Sequence, residues 1–505
     1  WLKAGRVIVA FLCHLVRGHM SSLRGVSRPQ CAKNKDPRRS ALLLALVLVV
    51  LLLPGTTKLC SVSIARPAAQ ASPPATAVNG AWLPIVSISS KFGVLSSGKV
   101  SEKEKQRVLQ PQKVTVANKN LVVWKQPGPD GEWSVMEDAC PHRLAPLSDG
   151  RVVPGTQCIE CPYHGWQFDT EGNCKSIPHK DDDNVDLAGS GGKAYATRVT
   201  GDVLWAFVEG AGIDGLTRFE DFPETMTTFL NRTVGGTWVR ELPYSVDMLV
   251  ENLLDPAHIP FAHHGLQATR DDVTPIPTKT LVSNETHLYL EFSDVIKGRK
   301  REAVMSFRLP CHYSYDRKFE DEDDFVAALA ILCVPVAAGQ SRAFLWLTPD
   351  KPSKLPTWLL HAFTAKFLDS DTWLHETELR YRQGDRPYLY RSQSDEGPAA
   401  FRRWASKNGY QTSPLYGAQH DLKPVPKEEY LDHVKTHTQN CHYCTKQLAR
   451  LKKVKMGSLL LAVLPEIFTN RIGVRVGCAA VALAVYLLSV KAEKLMMQPG
   501  EVSKD

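Results

Sequence analysis

Residues 140–166, CPHRLAPLSDGRVVPGTQCIECPYHGW, constrain this chain more than any other stretch. Two short units recur in it, Cys140-Pro-His142 and Cys161-Pro-Tyr-His164, each offering one thiolate and one imidazole. Two cysteines on one iron and two histidines on the other form the ligand set of a Rieske 2Fe–2S cluster. Imidazole is neutral where thiolate is anionic, so this set raises the reduction potential above that of an all-cysteine cluster. Gly165 and Trp166 suit a tight loop closed by a large apolar side chain. The rival is a zinc site built from Cys140, Cys158, Cys161 and Cys174. A C-x-H pair followed so closely by a C-x2-H pair favours the cluster.

The chain has 505 residues, more than one compact core accommodates, and two domains with tails are expected. The net charge is +8, but the basic residues gather in the N-terminal tail and between Lys446 and Lys455. That placement reads as targeting and membrane flanks and gives no nucleic-acid surface. Twelve cysteines in a chain this long make no disulfide framework. They point to metal and redox chemistry in a reducing compartment.

The sequence opens on Trp1, and Met20 is read as a natural start. Residues 33–60 look like a signal, with a basic stretch before the apolar run Ala41–Leu53. Residues 61–80 are rich in Ala, Ser and Pro, contain Arg66 and lack acidic residues, which is transit-peptide composition. Together they suggest a two-step address into a plastid reached by the secretory route. A single N-terminal anchor is the alternative.

The expected fold class is α+β. An antiparallel β Rieske domain over 82–210 precedes a helix-grip catalytic domain over 235–430, with transmembrane segments at the C-terminus. Short strand-like runs in 113–138 are broken by PGPDG, and DVLWAFVE (202–209) reads as a closing strand. Residues 181–192, acidic and then Gly/Ser-rich, read as a surface loop. In the second domain, SVDMLVENLLDPAHIPFAHHG is helical, with interruptions at Pro256 and Pro260. Segments 278–293, 303–315 and 325–347 are strand-rich. Residues 357–382 read as one helix, with Leu359, Phe363, Phe367 and Leu374 at roughly helical spacing. Residues 431–455 form a linker with a C-x2-C and a basic run. Within 456–490, Val476–Val490 is uncharged between Arg475 and Lys491, which suits a membrane span. Met456–Phe468 is shorter and contains Pro465 and Glu466, making a hairpin with one full span a further possibility.

Asn252, Asp255, His258 and His263 stand in the order N-x2-D-x2-H-x4-H. Two neighbouring histidines plus a distant carboxylate make the facial triad of non-haem iron oxygenases, which leaves one face of the metal open. His264 competes with His263 for the second position. The carboxylate is sought in FLDSDTWLHETE (367–378), with Asp371 first and Asp369 second. Cys441 and Cys444 have three readings: a thiol–disulfide switch, inert thiols, or zinc bound with His433 and His437. No convincing G-x-G-x-x-G accompanies them, so electrons come from a separate donor, and in a plastid that is ferredoxin.

The strings CPHRLAPLSDGR, YHGW, ENLLDPAHIPFAHHG and NCHYC, in that order before a C-terminal apolar segment, resemble the pheophorbide a oxygenase family of plastid Rieske non-haem iron oxygenases. The likeness runs from about Trp82 to the C-terminus. It implies a plastid-membrane monooxygenase acting on a chlorophyll-type tetrapyrrole, inserting one oxygen atom and releasing the other as water. By the same resemblance Cys140, His142, Cys161 and His164 hold the cluster, and His258, His263 and Asp371 hold a mononuclear iron. Asp255 corresponds to the acidic residue that links a cluster histidine to an iron-ligand histidine across a subunit boundary in a homotrimer. The substrate pocket is expected between the 278–347 sheet and the helices around His258 and Phe367, with His312 and Tyr313 as polar positions of unassigned role. The non-enzymatic alternative is a membrane-bound electron-transfer or redox-sensing subunit of a plastid protein translocon.

Overall fold

The computed structural model describes residues 79–92, 110–126, 131–182, 186–200, 202–213, 215–218, 222, 237–347, 355–384, 387–413, 415–416, 422–468 and 470–498. The signal-like segment, and all but the end of the transit-like one, lie outside these residues. So does the whole of the first of the chain's two units, residues 1–59.

The first domain is closed by its own ends. Strand Gly80–Ser87 pairs antiparallel with Val203–Glu209, so the domain starts slightly before Trp82. Beside them lies a four-stranded antiparallel sheet of Gln112–Val116, Lys119–Lys125, Trp133–Glu137 and Ala194–Tyr195. Its first hairpin turns through Ala117 and Asn118, both left-handed at φ 48° and 62°. That is the backbone of the two-residue turn whose twist matches paired strands. The N–H groups of Ala117 and Asn118 donate to the carbonyls of Pro335 and Val336 at 2.8 and 2.9 Å, docking this domain on the next. A second sheet of four very short strands, from Arg151–Val152 to Cys174–Ser176, carries the two Cys–His loops. Its small core is built on Trp124, Met136, Leu147, Ile159 and Phe168, all fully buried.

The second domain is a seven-stranded antiparallel sheet: β1 (Trp238–Leu242), β2 (Thr278–Ser283), β3 (His287–Ile296), β4 (Arg299–Arg308), β5 (His312–Phe319), β6 (Val326–Ala337) and β7 (Gln340–Leu347). The order is β1-β7-β6-β5-β4-β3-β2. The strand-rich segments therefore resolve into six hairpin-connected strands, and β1 joins from outside them. Along β3 burial alternates strictly, placing Leu288, Leu290, Phe292, Asp294 and Ile296 on one face. Helices α1 (Val246–Leu253) and α2 (Ile259–Ala262) replace the single interrupted helix around His258.

The expected helix over 357–382 is two helices, α3 (Thr357–Asp369) and α4 (Leu374–Gln383). Hydroxyls make the break. Ser370 Oγ donates to the Phe367 carbonyl at 2.6 Å, and Thr372 Oγ1 to the Asp369 carbonyl at 2.8 Å, diverting acceptors that would continue the helix. After α5 (Glu396–Lys407) and the short α6 (His433–Thr436), the chain ends in α7 (His442–Phe468) and α8 (Ile472–Met497). These two pack antiparallel, with Lys455 paired to Glu493, and Thr438 Oγ1 in the turn before α7 donates to the Met496 carbonyl of α8 at 3.0 Å. The basic run 446–455 is thus helical and continuous with the apolar segment after it. Among the described residues α8 is long and apolar enough to cross a membrane. Leu459, Leu460 and Val463 of α7, and Val476, Leu483 and Leu487 of α8, are exposed.

Candidate metal centres

The two loops of the first domain share one backbone plan. Cys140 N donates to Ala145 O at 2.8 Å, and Cys161 N to Trp166 O at 2.8 Å. Four residues after each cysteine the chain turns left-handed, at Leu144 (φ 59°) and Gly165 (φ 71°). Glycine adopts that conformation freely, whereas leucine is strained in it. The plan brings the His142 and His164 rings to 4.7 Å centroid separation and stacks Trp166 flat on His142 at 4.6 Å. The Cys140 and Cys161 thiols lie within hydrogen-bonding reach of each other, and burial pushes the Cys140 thiol up to about 11. His142 Nδ1 is buried with no hydrogen-bond partner.

Buried thiols and an orphaned imidazole nitrogen fit a two-iron cluster, because metal coordination supplies what solvent does not. Cys174 takes no part, since its thiol faces the Ser176 carbonyl at 3.8 Å. On reduction the protein is expected to give the rhombic, low-average-g EPR signal of a Rieske centre, which His164→Cys shifts toward a ferredoxin-like signal. Colourless protein holding only zinc would refute the cluster.

In the second domain His258, His263 and Asp371 converge closely enough to share one ion. His258 Nε2 lies 3.3 Å from His263 Nε2, and Asp371 Oδ2 lies 3.4 Å from His263 Nε2. The histidines come from the two ends of α2, and Asp371 from the α3–α4 break. Ser370 Oγ, whose own proton goes to Phe367 O, accepts from His263 Nδ1 at 2.8 Å. That bond leaves the His263 Nε2 lone pair facing the centre, the arrangement expected of a metal-ligating histidine. Phe367 stacks on the same ring at 3.8 Å. Asn252 Nδ2 donates to Asp371 Oδ2 at 3.2 Å, while Asp371 Oδ1 is buried without a partner.

Burial, aided by the charge of His258, holds His263 down to about 3, and burial pushes Asp371 up to about 6. Burial works against a charge on His258 too, but Asp255 and Asp371 outweigh it and its pKa is raised. A buried carboxylate with a bare oxygen beside two aimed imidazoles fits a divalent iron.

Of the alternatives, His264 turns away, its Nδ1 accepting from the Arg270 amide at 3.1 Å. Asp369 is taken by Arg240 at 2.6 Å and by His433 at 2.7 Å, so neither Asp369 nor His433 serves a metal centre. Asp255 Oδ1 accepts from Ala257 N at 2.8 Å, and its Oδ2 sits 3.7 Å from His258 Nδ1. Ser370 carries no signal in the sequence beyond its place between two acidic residues.

A cavity of about 660 Å³ opens beside the triad, within the ~300–1,000 Å³ usual for small-molecule sites. It is walled mostly by apolar side chains such as Phe292, Met305, Leu345 and Phe363, with Lys297, Arg301 and Arg317 at the end of the sheet marked by the Lys297–Gly298 turn. Tyr313 lines it, its hydroxyl donating to Leu253 O at 2.8 Å; His312 is not among its walls.

Known proteins match on the same ground. Residues 93–190 match the Rieske [2Fe-2S] domain, and residues 307–387 match pheophorbide a oxygenase. The chloroplastic pheophorbide a oxygenase of Oryza sativa subsp. japonica is 29% identical, over 69% of this chain and 72% of that protein. The chloroplastic protochlorophyllide-dependent translocon component 52 of Arabidopsis thaliana is 28% identical, over 65% of this chain and 68% of that one. Dicamba monooxygenase bound to dicamba superposes with a TM-score of 0.51 at 19% identity, covering 60% of this chain and 94% of that one, a likeness of fold. Two Cys–His loops on a small β domain, followed by a candidate His/His/Asp iron centre under a helix-grip sheet, mark this chain as a Rieske non-haem iron oxygenase, similar over residues 307–387 to pheophorbide a oxygenase.

Proposed function

We propose that this protein is a monooxygenase that oxidises a chlorophyll-related tetrapyrrole, with His258, His263 and Asp371 holding the iron and Cys140, His142, Cys161 and His164 holding the cluster. The observation that carries this reading is the large, mainly apolar cavity beside the triad, with Lys297 at one end next to Arg301 and Arg317, which are ion-paired to Asp294 and Glu322. A flat apolar macrocycle matches the cavity, and a carboxylate edge would face Lys297. When bound, the iron supplies the dioxygen-activating chemistry, with electrons delivered through the cluster.

The chain's own residues do the rest. Asn252 and Ser370 fix the orientation of Asp371 and His263, and Phe367 shields the stacked imidazole from water. Ferredoxin is the proposed electron donor and a homotrimer the proposed assembly. Leu144 and Tyr163 support the latter, since these apolar side chains stand exposed beside the cluster histidines, where a neighbouring subunit would cover them. The exposed leucines of α7 and α8 support anchoring in a plastid membrane, with pigment reaching the cavity from the lipid. Among tetrapyrroles the preferred substrate is magnesium-free pheophorbide.

The test is a substrate panel with reduced ferredoxin and isotopic dioxygen, read by mass spectrometry. Label is expected in a tetrapyrrole product. Label confined to small aromatic acids would overturn the substrate class. Label in no product would favour the electron-transfer subunit.

A further inference from the structure

The C-x2-C of the linker is not alone. Cys441 precedes α7 and Cys444 lies in its first turn, while two histidines from distant segments close on them. His361, from the second turn of α3, places Nδ1 3.5 Å from Cys441 Sγ and 3.4 Å from Cys444 Sγ. His437, just after α6, places Nε2 3.3 Å from Cys444 Sγ and 3.2 Å from His361 Nδ1. All four side chains are buried. Zinc bound tetrahedrally, with Zn–S about 2.3 Å and Zn–N about 2.0–2.1 Å, sets its nitrogens roughly 3.3–3.4 Å apart and each sulfur–nitrogen pair roughly 3.5–3.6 Å apart. The observed edges fall within about 0.3 Å of those values.

Hydrogen bonding among the four groups explains less. His437 Nδ1 lies 2.6 Å from the Val239 carbonyl and donates to it, so its Nε2 is a bare acceptor. A shared proton joins one pair of atoms, whereas here four donor atoms surround one point. The outward bond from the second ring nitrogen to a backbone carbonyl is also how metal-ligating histidines are oriented.

We propose that His361, His437, Cys441 and Cys444 bind a structural zinc ion. Four protein ligands and full burial leave no open position, the mark of a structural site. The ion ties three segments together: α3, the turn after α6, and the start of α7. It therefore fastens the apolar α7–α8 hairpin to α3, the helix that ends just before Ser370 and Asp371 beside the candidate iron site. Both thiols are consumed as ligands, so the C-x2-C is not a free dithiol.

The test uses the full chain purified in detergent. Metal analysis is expected to find one zinc per chain in addition to iron, surviving a mild chelation that removes the mononuclear iron. Zinc-edge X-ray absorption should show two sulfurs at about 2.3 Å and two nitrogens at about 2.0–2.1 Å. Cys441→Ser with Cys444→Ser should lose the zinc. His361→Cys should keep it with a third sulfur in the shell, a readout that survives if the double variant fails to fold. Wild-type protein well below stoichiometric zinc, zinc bound only by oxygen and nitrogen, or a Cys441–Cys444 disulfide in zinc-free folded protein would each overturn the site.

Discussion

Asp371→Asn is expected to empty the mononuclear iron site, to lower turnover by ~10²-fold or more, and to make the iron-free protein more stable above pH 6. The first two effects follow from removing an anionic ligand. The third follows from burial. Asp371 is 2% exposed, one oxygen has no partner, and burial raises its pKa to about 6. A carboxyl in the unfolded chain titrates near ~3.9. Between about pH 4 and pH 6 the folded state therefore holds a proton that the unfolded state has lost, and stability falls as pH rises through that window. Above it the penalty is complete, on the order of 2–3 kcal/mol from a shift of about two units. Asparagine keeps the shape and carries no charge to desolvate. Thermal midpoints of chelated wild-type and variant protein at pH 5 and pH 7.5 test this, with metal analysis beside them. The variant's advantage should appear at pH 7.5 and shrink at pH 5. Equal midpoints at both pH values, or a full complement of iron in the variant, would refute the role of Asp371.

The same residue marks where the sequence stops being legible. The candidate cluster loops are legible because each Cys–His pair is local and its spacing itself suggests the chemistry. His258 and His263 are likewise five apart, at the two ends of one short helix. The carboxylate is more than a hundred residues away, and Asp369 and Asp371 are chemically alike in a pattern that reads as one continuous helix. Only the break at Ser370 separates them, sending Asp371 to the histidines and Asp369 to Arg240 and His433. Two hydroxyls competing for backbone carbonyls leave no periodicity signal.

His361 was invisible for a related reason. It sits in a helix whose apolar spacing accounts for its neighbours, and its thiol partner Cys441 lies 80 residues on. Strand β1 was missed because WVREL places Arg240 on its buried face, where the pair with Asp369 compensates the charge. Within 278–347 the strand content was plain, but turns as short as Lys297–Gly298 hid how many strands there are.

Replacing Asp255 should leave both metal centres occupied and yet lower turnover by ~10–100-fold or more. The carboxylate has two occupations that different substitutions separate. Oδ1 caps the chain locally by accepting from Ala257 N at 2.8 Å, a task asparagine performs as well. Oδ2 sits 3.7 Å from His258 Nδ1, which has no hydrogen-bond partner of its own, and there the negative charge matters: it favours the Nδ1-protonated ring that leaves Nε2 facing His263 and Asp371. If Asp255 were only a cap, Asp255→Asn would behave as wild type and Asp255→Ala alone would be impaired, chiefly in stability. If it orients His258 and reaches toward a cluster histidine of a neighbouring subunit, both variants lose turnover, while Asp255→Asn keeps the wild-type thermal midpoint. Two further measurements are independent of product formation. The EPR signal of the reduced cluster and the iron content should be unchanged in both variants. Reoxidation of the cluster in a single turnover, with substrate and dioxygen present, should slow in both. Wild-type reoxidation kinetics in Asp255→Asn would reduce Asp255 to a turn residue.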